Sequence, residues 1–191
     1  FLLYQCARLV FVWAISGATS CSFLVFVLRR GEAVRVRGDV GGRLGSSLGV
    51  DLASFGGSGA PIEATGSVVV EGDVGPRMGI SMVRGSIYVS GTVCEPLGNV
   101  VEVESDLTGY RKYRSITEAL ERGGPILDPN CQVRDELVLR DGLLRETLAA
   151  RSRSGRMLRV EGDAGMSAGI LMRSGSLEIM GDAGRNAGVL M

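Results

Sequence analysis

The chain has 191 residues, 45% hydrophobic and 22% charged, which marks it as a folding globular sequence with one domain as the expectation. Lysine plus arginine equals aspartate plus glutamate at 21 each, so no overall field favours nucleic acid, a membrane surface or an acidic ligand. Histidine is absent, which removes the commonest general base and metal ligand along with Ser-His and Cys-His nucleophile pairs.

Residues 9–28, LVFVWAISGATSCSFLVFVL, carry no charge and are flanked by Arg8 and by Arg29 and Arg30. Their length is that of a membrane span, about 20 residues, or of an uncleaved signal-like segment. The middle, SGATSCS, is small and polar, which lowers insertion propensity and suits two short strands with a turn. Residues 1–30 therefore read as an apolar cap over the first coil, as a membrane segment through 9–28, or as a start placed upstream of the natural one. The cysteines Cys6, Cys21, Cys94 and Cys131 stand far apart with no Cys-x-x-Cys pair. That points to a reduced, cytoplasmic setting and to four small buried apolar side chains without a chemical role.

The 29 glycines, about twice the usual ~7% share, are positional rather than compositional. From residue 31 to 101 they recur with a period of nineteen, as between Gly72 and Gly91. Val34 and Val36, Val68 and Val70, and Ile87 and Val89 alternate with polar partners, the period-two pattern of half-buried strands. Each such strand runs into a Gly-Asp corner: Gly38, Asp39, Gly41 and Gly45 in the first, Gly72, Asp73, Gly75 and Gly79 in the next, then a degenerate Gly91-Thr92. Counting from the first glycine of a corner as zero, offsets two, six and ten are apolar, as in Val74, Met78 and Met82. Ala53 and Phe55 hold strand places before Gly57, so a further coil is expected through GVDLASFGG.

Residues 102–154 leave this pattern and gain charge, and read as an excursion from one flank. Within them SITEALERGG predicts a short helix, with Ser115 as N-cap, Glu118 as its capping-box partner and Gly123 as the stop. The cluster Tyr110, Arg111, Lys112, Tyr113 and Arg114 could hold a phosphate or stack a base, but beside Glu102, Glu104 and Asp106 it reads as a solvated, partner-facing loop. In VRDELVLRDGLLRETLAARSRSG, Leu137 and Leu139 alternate like a strand, Asp141-Gly142 suits a turn, and Leu143 to Arg151 is helix-compatible.

From 155 to 191 the nineteen-residue unit returns, with Leu158 and Val160 before Gly162, Asp163, Gly165 and Gly169, and Leu177 and Ile179 before Gly181, Asp182, Gly184 and Gly188. Such units cannot bury an apolar face alone; stacked, they build a continuous core. The expected fold is all-β, a parallel β-helix whose glycines turn with positive φ and lie close to neighbouring coils. One aspartate per coil is too sparse for a β-roll calcium site, so each carboxylate is expected to hold its own corner as an Asx-turn. The last coil stops at Met191, before the strand that completes the others, so that end is expected to meet a partner, a second copy, or sequence that has been removed.

The motif Gly-Asp-[Val/Ala]-Gly-x-x-[Leu/Met/Ala]-Gly-x-x-[Leu/Met] followed by Gly-x-[Ile/Leu]-x-[Val/Ile]-x-Gly resembles the GXGXG repeat family, over roughly residues 31–101 and 155–191. Two branches share that repeat: the β-helical subunit of formylmethanofuran dehydrogenase and the carboxy-terminal domain of the large glutamate synthase subunit. GDVGPRMGISMVRGSIYVSG and GDAGMSAGILMRSGSLEIMG are more similar to the first. The resemblance implies a right-handed β-helix without catalytic, cofactor or metal residues of its own. It implies a scaffold within a multi-subunit oxidoreductase of one-carbon metabolism, whose partner subunits carry a tungsten or molybdenum pterin and iron–sulfur clusters. In the other branch the expected role is that of a free-standing glutamate synthase module. A β-solenoid enzyme of another class, such as a hexapeptide acyltransferase, is disfavoured because six-residue repeats and histidine are missing.

Overall fold

The computed structural model describes residues 9–12, 31 and 33–191, with backbone alone for 9–12 and 55. The segment 9–28, with its membrane and cap readings, lies almost wholly outside the described residues, and so do Cys6 and Cys21. Among those described, no helix is long and apolar enough to cross a membrane. The described residues form a β-solenoid of about six turns with a single short α-helix, a parallel β-helix as the repeat predicts.

Strands β1 (Leu9–Val12), β2 (Ala33–Arg37), β3 (Ser67–Glu71) and β4 (Ser86–Val89) lie side by side and parallel, since each coil brings the chain back in the same direction. The register stacks Val34 on Val68 on Ile87, and Val36 on Val70 on Val89, all buried on the inner face. Burying an aliphatic side chain of this size is worth about 1.5–3 kcal/mol, so these columns drive the stacking. The opposite parity faces out and is tied across coils by ion pairs such as Arg35 Nη1 to Glu71 Oε1 at 2.7 Å.

Because β2 pairs directly with β3, no coil passes between them. Ala53–Phe55 is a 3-10 turn inside a surface loop, closed by the Val50–Pro61 bridge and by the Asp51 carboxylate, which accepts from the Ser58 N–H and hydroxyl. The strand-like spacing there is overruled by this local hydrogen bonding, and the coil expected through GVDLASFGG is absent.

The segment expected on one flank instead sits in the axis of the stack. Strand β5 (Val100–Val103) pairs antiparallel with β6 (Arg111–Ser115), which pairs antiparallel with β4, extending the first sheet to the order β1-β2-β3-β4-β6-β5. The GYRKYRS cluster is therefore largely strand, not loop. Helix α1 (Ile116–Arg122) comes next, with the Ser115 hydroxyl accepting from the Glu118 N–H and Gly123 closing the end, its N–H donating to Ala119 O. The reciprocal half of the capping box is replaced, since the Glu118 carboxylate turns to Arg114 and Arg122.

A hairpin of β7 (Cys131–Val133) and β8 (Glu136–Leu139) opens the second sheet, and β8 then runs parallel to β9 (Met157–Val160) and β10 (Ser176–Ile179). Residues 136–152 thus form a coil in their own right, although the repeat motif is missing from them. The helix-compatible stretch from Leu143 to Arg151 is that coil's corner: Thr147, Ala149 and Arg151 are left-handed, with φ of 55°, 52° and 58°. Those angles exclude an α-helix, and the stretch docks between coils because Arg145 bridges Leu97 on one side and Ala164 on the other.

Candidate functional site

The repeat residues come together as a ladder along one side of the solenoid. At offset seven Gly45, Gly79, Gly169 and Gly188 are left-handed, with φ of 68–74°. They are flanked at offsets five and nine by left-handed residues that are not glycine, such as Arg77 and Ser81. A non-glycine residue in that conformation costs about 1–2 kcal/mol. Hydrogen bonds to the next coil hold it there: Arg43 N–H donates to Pro76 O at 2.8 Å and Ser47 N–H to Ile80 O at 2.8 Å. Offsets three and seven donate the other way, Gly75 N–H to Val40 O at 2.8 Å and Gly79 N–H to Leu44 O at 2.7 Å.

The glycines at offset three, Gly41, Gly75, Gly165 and Gly184, have no positive φ, contrary to the expected turn geometry. At three of them the cause is contact: a Cβ on Gly75 or Gly184 would stand 2.7 Å from the backbone of the coil before it and one on Gly165 3.0 Å from Arg145 O, whereas one on Gly41 would meet nothing within 4 Å among the described residues. Offset zero is similar, since a Cβ on Gly72 or Gly181 would meet Gly38 or Gly162; Gly38 itself is left-handed at 102°.

The aspartates do not form the expected Asx-turns within their own corners. Asp39 Oδ1 accepts from the N–H of Asp73 at 2.9 Å, Asp73 Oδ1 from Thr92 at 2.7 Å, and Asp163 Oδ1 from Asp182 at 2.8 Å. Each carboxylate thus clips the same offset one coil further on. The Thr92 hydrogen bonds hold the Asp73 carboxyl below its ordinary value. Asp73→Ala is therefore expected to lower the melting temperature equally in calcium and in EDTA; a loss that calcium alters would reinstate a metal role. Among the described residues no group of three or more histidine, cysteine, aspartate or glutamate side chains could hold a metal ion. Cys94 replaces glycine at offset three and is exposed, and Cys131 is half-buried, so neither is the buried apolar side chain expected.

The joint between the two sheets carries a buried polar network that no spacing in the sequence announces. Asn99 is fully buried; its amide donates to Met82 O at 2.7 Å and Thr117 Oγ1 at 2.8 Å, and its Oδ1 accepts from Ala149 N–H at 2.9 Å. Thr117 donates onward to Ala150 O at 2.7 Å. Arg145, 2% exposed, donates from Nε to Val100 O at 2.9 Å and from both terminal nitrogens to Asp141. Burial pushes the Asp141 carboxyl up, but the Arg145 hydrogen bonds and charge outweigh it and leave it below its ordinary value. These bonds join the two stacks where the regular ladder is interrupted, an architectural role.

The cations on β6 are neutralised: Arg111 Nε lies 2.9 Å from Glu102, Lys112 Nζ 2.8 Å from Asp106, and Arg114 Nη2 3.5 Å from Glu118. That pairing disfavours the phosphate reading of the cluster. Beside it, a cleft of about 280 Å³ opens between the 50–66 loop, the outer face of the sheet and α1. Arg84, Arg114 and Arg122 line it together with Glu63 and Glu118. At the other end, the last coil leaves Met180, Leu190 and Met191 more than 60% exposed.

A protein of Methanothermobacter thermautotrophicus (strain ATCC 29096 / DSM 1053 / JCM 10044 / NBRC 100330 / Delta H), described only as an uncharacterized protein, is 48% identical over 153 residues, which cover 80% of this chain and 50% of that protein. The chain thus spans about half the length of the relative it matches. No protein-family model and no solved structure matches the chain.

Proposed function

We propose that the chain is a β-helical scaffold without chemistry of its own, similar in role to the β-helical subunit of formylmethanofuran dehydrogenase, within a multi-subunit oxidoreductase of one-carbon metabolism. The observation that carries the reading is the use made of the repeat. The glycines, aspartates and left-handed residues of each corner are committed to neighbouring coils, and what they build is a surface of fixed shape rather than a reactive centre. A relative in a methanogen is compatible with that setting. On this reading the tungsten or molybdenum pterin and the iron–sulfur clusters belong to partner subunits, and this chain supplies rigid docking in the cytoplasm.

Affinity purification of the tagged chain from its native source tests the proposal. Expected are co-purifying subunits that carry a metal pterin and iron–sulfur clusters, with no stoichiometric metal or flavin on the chain when purified alone. Recovery of flavin and amidotransferase subunits would replace the reading by that of a glutamate synthase module. Recovery of the chain free of any partner would overturn both.

A further inference from the structure

We propose that the cleft between the 50–66 loop and helix α1 is an oxyanion-binding site, with the chain's own Glu63 carboxylate at its rim. The argument starts from Arg84, a residue only 8% exposed at the mouth of β4. Its Nη2 donates to Glu121 at 2.9 Å, but Nε and Nη1 are buried with no hydrogen-bond partner among the described residues. A buried charged donor without an acceptor is costly, and a planar guanidinium fork is the side chain best matched to carboxylate or phosphate oxygens.

Glu63 shows where such oxygens sit. Its carboxylate bridges two guanidiniums, with Oε2 2.8 Å from Arg122 Nη2 and Oε1 3.9 Å from Arg84 Nη2. Yet the Glu63 side chain is 82% exposed, so little but this charge contact holds it in place. Exposed ion pairs contribute little, and an incoming anion with its own contacts outcompetes this one. With Glu63 turned out to solvent, two carboxylates remain for the three guanidiniums: Glu121, which accepts from Arg84, and Glu118, shared at 3.5 Å and 3.4 Å between Arg114 and Arg122. The hydroxyls of Ser67 and Ser86, at the starts of β3 and β4, line the same cleft and suit the body of a small ligand. The ligand class is a small organic anion, either a carboxylic acid or a phosphate ester. This site is independent of the scaffold reading, and its outcome leaves that reading untouched.

Calorimetric titration of the purified chain with inorganic phosphate and, separately, with succinate tests the proposal and distinguishes the two sources. Saturable binding of one anion or both is expected. Glu63→Gln removes the internal competitor and is expected to tighten binding about tenfold, while Arg122→Gln, at a half-exposed position, is expected to weaken it about tenfold. Arg84→Lys is expected to abolish it, with Arg122→Gln serving as the readout if the buried change unfolds the protein. No saturable binding of either anion to the Glu63→Gln protein would overturn the site. So would equal affinities in wild type, Glu63→Gln and Arg122→Gln, because a nonspecific anion effect ignores which of these charges is removed.

Discussion

Gly98→Ala is expected to cost about 3–5 kcal/mol, the upper end for a single substitution. The added methyl carbon would lie 2.2 Å from the Ile80 nitrogen and 2.3 Å and 2.5 Å from the Gly79 carbon and oxygen, all backbone atoms that no rotamer change moves. Nor can the coils separate locally, because Gly98 N–H donates to Met78 O at 2.8 Å and Asn99 N–H to Gly79 O at 3.0 Å across the same gap. Overpacking of this kind forces a backbone shift. Gly155→Ala is the control, with no positive φ and nothing within 4 Å of the added carbon, and is expected to stay within about 0.5 kcal/mol. Urea unfolding of the two variants checks both; equal losses would mean that close stacking is not what the corner glycines serve.

Asp141→Asn is expected to cost about 3–5 kcal/mol at neutral pH, because it leaves the Arg145 guanidinium, with 3% of its side chain exposed, as a buried charge without its counter-ion. The pH dependence has a definite sign. The folded Asp141 carboxyl lies below its ordinary value, so its contribution is complete above the usual carboxylate value, about 3.9, and is lost as the pH falls through the lower folded value. The stability gap between wild type and Asp141→Asn should therefore be constant from pH 7 to about 5 and close only below about 4. A gap that closes between pH 6 and 5 would show that another group holds Arg145. Replacing both residues, Asp141→Leu with Arg145→Met, should cost less than Asp141→Asn alone, since the stranded charge is gone.

The strands and corners of the two repeat stacks were legible because their signal is local. Valine parity before Gly72 and glycine spacing after it each report one backbone constraint, and both survive without knowledge of the rest of the chain. The coil through residues 136–152 was not legible, for two reasons. Leu139 pairs with Val160 while Arg145 pairs with Ala164, so its chain is two residues longer over that stretch, and the nineteen-residue count slips. Its left-handed offset seven is Ala149 rather than glycine, held there by the Asn99 carbonyl, which accepts from the Ala149 N–H from 50 residues away. A residue held in place by a distant partner leaves no mark in its own neighbourhood. The aspartate clips failed for the same reason: an Asx-turn and a bond to the next coil use the same side chain after the same glycine. The Arg84 cleft draws on a loop, three strands and a helix, and no spacing in the sequence brings Glu63 to Arg122.

Solenoids made of like coils tend to melt progressively from their ends, because each unit contacts only its neighbours. The hairpin of β5 and β6 changes that here. Alternate residues of one strand feed opposite cores: Val100 packs with Tyr113 and Ile87 in the first, while Val101 and Val103 pack with Ile116, Leu120 and Leu158 in the second. Neither core can come apart without stripping the wall of the other. Two stacks that would otherwise be separate cooperative units are thereby fused into one, and the slowest-exchanging amides should lie along this shared hairpin instead of at the centre of either stack.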